Sequence, residues 1–134
     1  MLSTTTNPGA AAYQSMDTSG RIESASPHRL IQLMMERALS KIGLARSQIR
    51  DGKIQEKGGS IGDAISIING LQASLNHSAD PRLSENFDAL YAYMMQRLLE
   101  ANLSNDDDAL RETADLLREL KDAWDAIADE VDGG

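Results

Sequence analysis

SPHRLIQLMMERALSKIGLARSQIRDG, residues 26–52, decides what kind of fold this chain adopts. Ser26 followed by Pro27 is a helix start. The serine side chain can accept from free backbone N–H groups, and proline, which lacks one, suits the first helical position. Ile31, Met35, Ala38, Ile42, Ala45 and Ile49 then recur at intervals of four and three residues, which stacks them on one helical face. Asp51-Gly52 is the stop, because glycine turns left-handed past a helix end without steric penalty.

Three further segments repeat this grammar. The second helix is expected to start within Glu56–Ser60, to carry Ile61, Ala64, Ile65, Ile68, Leu71 and Leu75, and to stop near Asn76. Asp80-Pro81 opens the third, with Leu83, Phe87, Leu90, Met94, Leu98 and Ala101 as its core line. Leu103-Ser104-Asn105 is the break. Asp106-Asp107-Asp108 then puts negative charge at the positive end of a fourth helix dipole. Leu110, Leu117, Leu120, Trp124, Ile127 and Val131 complete that helix. Short connections between long amphipathic segments predict an all-α fold, an antiparallel four-helix bundle over residues 21–134. Residues 1–20, rich in Thr, Ser, Gly and Ala, read as a mobile N-terminal arm whose large side chains beyond Met1-Leu2 are Tyr13 and Met16.

Composition agrees. Hydrophobic residues make up 41% of the 134, but aromatic ones only 4%, so leucine, isoleucine, methionine and alanine must fill the core. There is no cysteine, which excludes disulfides and thiolate chemistry. The N-terminus has neither the basic nor the apolar region of a secretory signal, and no apolar run approaches the ~18 residues of a membrane span. The cytosol is the expected compartment, without membrane insertion. A net charge of −8 argues against nucleic acid as a partner. The charge is uneven: residues 1–55 carry an excess of Lys and Arg, and the remainder a large excess of Asp and Glu. A basic first helix lying beside acidic later ones accounts for this; a charge-steered partner is the sharper alternative.

Nothing in the chain points to catalysis, a metal or a cofactor. His28 and His77 lack the carboxylate spacing of a helical ligand pair, and no Glu-x-x-His motif is present. Asp106-Asp107-Asp108 lacks the alternating ligands and terminal Glu of a calcium loop. Gly58-Gly59-Ser60-Ile61-Gly62 lacks the preceding strand and following Gly-Lys of a phosphate loop. It reads as weak helix initiation, with glycine allowing close packing.

The apolar surface exceeds what a bundle core needs. Tyr91, Met95 and Leu99 form a stripe beside the third helix's core line, with Tyr93 on the other flank. Ile67 widens the second helix, and Leu33 and Leu44 lie away from the first helix's seam. Such flanks either broaden the core or make a groove for an amphipathic helix or extended peptide. Six methionines suit a surface that accepts varied contours.

Ser26-Pro27-His28-Arg29-Leu30-Ile31 followed by Ala38-Leu39 and Ala45 resembles the start of the flagellin export chaperone family, FliS. Leu90-Tyr91-Ala92-Tyr93-Met94, with Arg97, Leu98 and Ala101-Asn102, is similar to that family's third helix, and Leu116-Leu117 through Ala123-Trp124 to its fourth. The resemblance runs over about residues 10–130. It departs at Ala92, where a polar residue is usual, and at Met34-Met35-Glu36-Arg37.

The resemblance implies a cytoplasmic chaperone that binds the disordered C-terminal segment of flagellin, blocks premature polymerisation and supports delivery to the flagellar type III export apparatus. Other flagellar regulators are possible further partners. On this reading Ile61, Ile65, Ile68, Tyr91, Met95 and Leu99 contribute to the client groove. Tyr13 sits where family members carry a tyrosine that can cover it. The rival expectation is a self-associating helical structural or adaptor protein, whose stripes meet across a symmetric dimer. Monomer or weak dimer is expected if the groove serves a client.

Overall fold

The computed structural model describes residues 26–75 and 81–133, and for residues 81–83 and 128–133 the backbone alone. These residues form four helices: α1 (Pro27–Arg50), α2 (Ile54–Ala73), α3 (Pro81–Ser104) and α4 (Asp107–Gly133). Each packs on two neighbours, in the cycle α1–α2–α3–α4, so α1 lies diagonally across from α3. The all-α four-helix bundle expected from the sequence is the observed architecture.

The helix ends show why the chain folds back where it does. The Ser26 hydroxyl accepts from Arg29 N–H at 3.1 Å, and Pro27 occupies the first turn. At the other end Lys53 N–H donates to Gln48 C=O and Gly52 N–H to Ile49 C=O, a complete Schellman motif. It requires a left-handed residue, and Gly52 has φ 73°. The α3–α4 turn repeats the device with Asn105 at φ 53° and Asp106 N–H donating to Ala101 C=O. Asp106 then caps α4, its carboxylate accepting from Ala109 N–H at 3.2 Å.

Hydrogen bonds fix an antiparallel register. Ser60 donates to Gln48 at 2.8 Å and Lys41 pairs with Asp63 at 3.0 Å between α1 and α2. Arg46 meets Asp107 through two bonds, of 2.8 and 3.1 Å, between α1 and α4. At the far end of that same pair, His28 and Trp124 stack with ring centroids 4.3 Å apart and planes 6° from parallel. Trp124 Nε1–H donates to His28 C=O, and His28 Nε2, facing the Trp124 C=O at 2.8 Å, must carry the proton.

The core is the aliphatic one that the composition requires. Met35, Ala38, Ile42 and Ala45 of α1 meet Ile61, Ala64, Ile68 and Leu71 of α2, Met94 and Leu98 of α3, and Leu110 and Leu117 of α4. Three expectations need correction. The α2 helix begins at Ile54, ahead of the Glu56–Ser60 start read from its glycines. Nor do those glycines allow close packing: a Cβ at Gly59 or Gly62 would meet nothing within 4 Å, and one at Gly58 only the Asn102 side chain at 3.8 Å. In α3 the buried line runs through Phe87, Tyr91, Met94, Leu98 and Ala101, with Leu90 only half-buried.

Gly59→Ala and Gly62→Ala should each raise stability by about 0.5–1 kcal/mol, since they fill open space in a helix interior. Gly52→Ala should lower it by about 1–2 kcal/mol, because its backbone is left-handed. Urea midpoints at constant m-value check all three. The Arg46 guanidinium holds the Asp107 carboxyl below the usual carboxylate range. A carboxylate depressed in the folded state contributes stability above its unfolded pKa, near 3.9, and loses it as pH falls through the folded value. Arg46→Gln should therefore be less stable than the parent at pH 7, with the gap narrowing steadily below about pH 4.

Candidate functional site: an apolar seam between α2 and α3

The four seams of the bundle are closed differently. Between α3 and α4, Arg97 donates to Glu112 at 2.8 Å and the Tyr93 hydroxyl donates to Glu112 at 2.7 Å, while Glu100 within α3 accepts from Arg97 at 2.7 Å. Tyr93 and then Arg97 pull the Glu112 carboxyl below its ordinary range, while the same carboxylate pushes the Tyr93 phenol up. Between α1 and α4 lie the Arg46–Asp107 fork and the Gln32–Asp125 bond, with Lys121 holding Asp125 at 2.7 Å. Charged and polar side chains roof both seams.

The α2–α3 seam differs. Its polar ties sit near its two ends. At one, Lys57 Nζ donates to the Asn102 C=O at 2.9 Å and to its side-chain oxygen at 2.8 Å. At the other, Gln72 donates to the Asp88 C=O at 3.3 Å. Lys57 is 3% exposed, and its ammonium lies at the carbonyl-rich end of α3, where the helix dipole favours a cation. Two helical stripes run along this seam. On α2, Ile54, Gly58, Ile65 and Gln72 share a face; on α3, Asp88, Ala92, Met95, Leu99 and Asn102 do. The stretch from Gly58 to Gln72 covers roughly 20 Å of helix.

Side chains along this seam are apolar and incompletely covered. Ile65 and Met95 are half-buried against the core. Leu99 is 55% exposed, Ile54 44% and Leu103, just beyond, 87%. Beneath them Ile61, Ile68 and Tyr91 are sealed. Burial pushes the Tyr91 phenol up, and its ring meets Phe87 edge-on at 6.1 Å. Such an arrangement can receive another apolar chain; it offers no nucleophile or paired acid and base. Among the described residues no group of three or more His, Cys, Asp or Glu is placed to hold a metal, and no helix is long and apolar enough to cross a membrane.

The residues read from the sequence as groove contributors thus divide. Ile65, Met95 and Leu99 come together at the seam surface. Ile61, Ile68 and Tyr91 lie under it in the core and do not reach its surface. Tyr13 is outside the described residues. Of the flank positions, Ile67 is buried beside α1, Leu33 is half-buried, and Leu44 and Tyr93 are exposed. The surplus of apolar surface persists after folding. Ile54 and Leu103 were missed, one assigned to a connection and the other to a break. The signal for Ile54 was its spacing of eleven from Ile65, three helical turns along the same face.

Known proteins supply the context. The family model described as flagellar protein FliS matches residues 9–131. The chain is 44% identical to the flagellar secretion chaperone FliSB of Pseudomonas aeruginosa over 116 residues, covering 87% of this chain and 92% of that one. It is 38% identical to the flagellar secretion chaperone FliS of Salmonella typhimurium over 92% of each chain. With that of Bacillus subtilis it shares 31% over 84% of this chain and 80% of the other. A four-helix bundle with one apolar seam left half open, matched along nearly its whole length, belongs to the FliS family of flagellar secretion chaperones.

Proposed function

We infer that this protein is a cytoplasmic export chaperone whose α2–α3 seam receives the C-terminal segment of flagellin. It holds that segment away from other flagellin subunits and supports its delivery to the flagellar type III export apparatus. The observation that carries this reading is the seam itself, with Ile65, Met95 and Leu99 lying open between two polar ties and Ile54 exposed just beyond one of them. Masking the apolar face of a polymerising client removes the surface on which subunits would dock. A disordered client loses a few kcal/mol to ordering when it folds on a partner, which demands extended apolar contact. A seam about 20 Å long, lined by branched and thioether side chains, provides that contact. On this reading residues 1–20, which carry Tyr13 and lie outside the described residues, compete with client for the seam.

Calorimetry with the flagellin C-terminal segment should give a one-to-one complex and a negative heat-capacity change. Leu99→Glu and Met95→Glu should weaken it by about tenfold or more while the melting temperature moves little, since neither side chain is fully buried. Tyr91→Ala should instead cost about 3–5 kcal/mol of stability, as the loss of a core ring does. Binding unchanged in both glutamate variants would remove the seam from the reading. A stable dimer that the flagellin segment cannot dissociate, seen by sedimentation, would favour self-association.

Deleting residues 1–20 should leave helicity and melting nearly unchanged and strengthen binding of the flagellin segment, because a competitor for the seam is gone. A large fall in melting temperature would make those residues part of the core instead.

A further inference from the structure

The face of α1 beside α2, away from the α2–α3 seam, carries a second feature that the seam does not use. On α1, Leu33, Arg37 and Leu44 fall at spacings of four and seven and share one face. Their level against α2 is fixed on both sides. A Cβ at Gly70 would lie 3.1 Å from Met34 Cε, and Lys41 pairs with Asp63. Arg37 therefore stands level with Ile67, which is buried. The Arg37 Nε is itself buried, with no hydrogen-bond partner among the described residues. Neighbouring carboxylates are engaged elsewhere: Asp63 by Lys41 at 3.0 Å, and Glu36 by Arg29 and Lys121 at 3.6 and 3.7 Å.

An arginine keeps its charge, and a buried N–H without an acceptor is a standing destabilisation that folded proteins rarely tolerate. Leu44, two turns along, is 45% exposed, and Leu33, one turn back, is half-buried. The group is a guanidinium fork set between two leucines on a ridge roughly 16 Å long. Nε is sealed from outside, so a carboxylate would meet this fork through the two terminal Nη groups, with two parallel bonds. The flanking leucines call for apolar residues on either side of that carboxylate, which a free inorganic anion cannot supply. A second copy is a poor match, since a two-fold contact centred here would set Arg37 against its own equivalent.

We propose that the Leu33–Arg37–Leu44 ridge is a second docking site, for an amphipathic helix of another protein that presents a glutamate or aspartate between apolar residues, with Arg37 as the anchor. The ridge on α1 and the α2–α3 seam lie to opposite sides of α2, so an occupant of one does not block the other. The protein then acts as an adaptor that holds one chain in the seam and a second, acidic helix on α1. This goes beyond the export-chaperone reading and stands independently of it.

The test uses the full chain and a synthetic helical peptide of roughly 14 residues, with leucines on one face about a central glutamate. A counterpart has glutamine at that position. By calorimetry the glutamate peptide should bind about tenfold more tightly than the glutamine one. Arg37→Gln should erase the difference, Leu44→Ser should weaken both peptides, and Leu99→Glu should affect neither. In the free chain Arg37→Leu should raise the melting temperature by ~3 °C, because the unmatched donor is gone. Equal binding of the two peptides, a difference that survives Arg37→Gln, or a fall in melting temperature in Arg37→Leu would each overturn the proposal. A dimer dissolved by Arg37→Gln, seen in sedimentation, would assign the ridge to a second copy and overturn it equally. Because Leu99→Glu reads only the seam, failure here is separable from failure of flagellin binding.

Discussion

The clamping of α4 from both sides is the constraint on which the rest of this bundle depends. Arg46 grips Asp107 on the α1 side, while Arg97 and Tyr93 grip Glu112 on the α3 side. Half-exposed ion pairs contribute little to stability individually and are screened by salt. Their larger effect here is geometric. They sit at defined levels along the helix, and with the His28–Trp124 stack at the other end they fix register and direction. Because α4 is set by polar contacts to both neighbours, the seam on the far side of the bundle is free to carry apolar residues that none of the described residues fully covers.

Much of this architecture is legible in the sequence because helix ends have local chemistry. Ser26-Pro27 and Asp51-Gly52 act through their own backbone neighbours, and the structure places a cap and a Schellman motif where those residues predict them. The α2 start is misread for an equally local reason. Gly58-Gly59 has the propensity of a break, yet the packing of Ile61, Ala64 and Ile68 carries the helix through it. In α3 the error is one of phase. Leu90 and Tyr91 are neighbours of similar apolarity, and a helix advances about 100° per residue, so either can be assigned to the buried line. Spacing decides for Tyr91, because Phe87, Tyr91, Met94, Leu98 and Ala101 alternate fours and threes without slippage.

The candidate site was legible as a quantity and not as an allocation. Counting apolar positions shows that the helices carry more than a core of this size needs. It does not say whether Ile61 or Ile65 is the one left near the surface, since both lie within a turn of each other on α2. That choice depends on how far each helix rotates about its axis. The rotation is set by contacts distant in sequence: Lys57 with Asn102, Gln72 with Asp88, His28 with Trp124. Lys57 illustrates the limit. As an exposed-looking cation in a weak helical stretch it has no distinguishing mark in the sequence, yet it is almost wholly buried and ties the two helices that flank the seam.

The partial burial of that seam has a physical rationale. An apolar stripe fully exposed on a monomer invites self-association, and one fully buried cannot exchange its contacts for a partner's. Ile65 and Met95 sit between these limits, anchored on the core by part of their surface and open by the rest. An incoming apolar chain would complete their burial without reopening Ile61, Ile68 or Tyr91 beneath them. Docking then leaves the interior undisturbed, and the gain comes from surface that the four helices leave uncovered. The core supplies a rigid floor, and the exposed Leu99 and Ile54 at the seam's edge adjust to the occupant. Adaptability at the edge over rigidity beneath is what a binder of a flexible polypeptide requires, because the partner's conformation is settled only on contact.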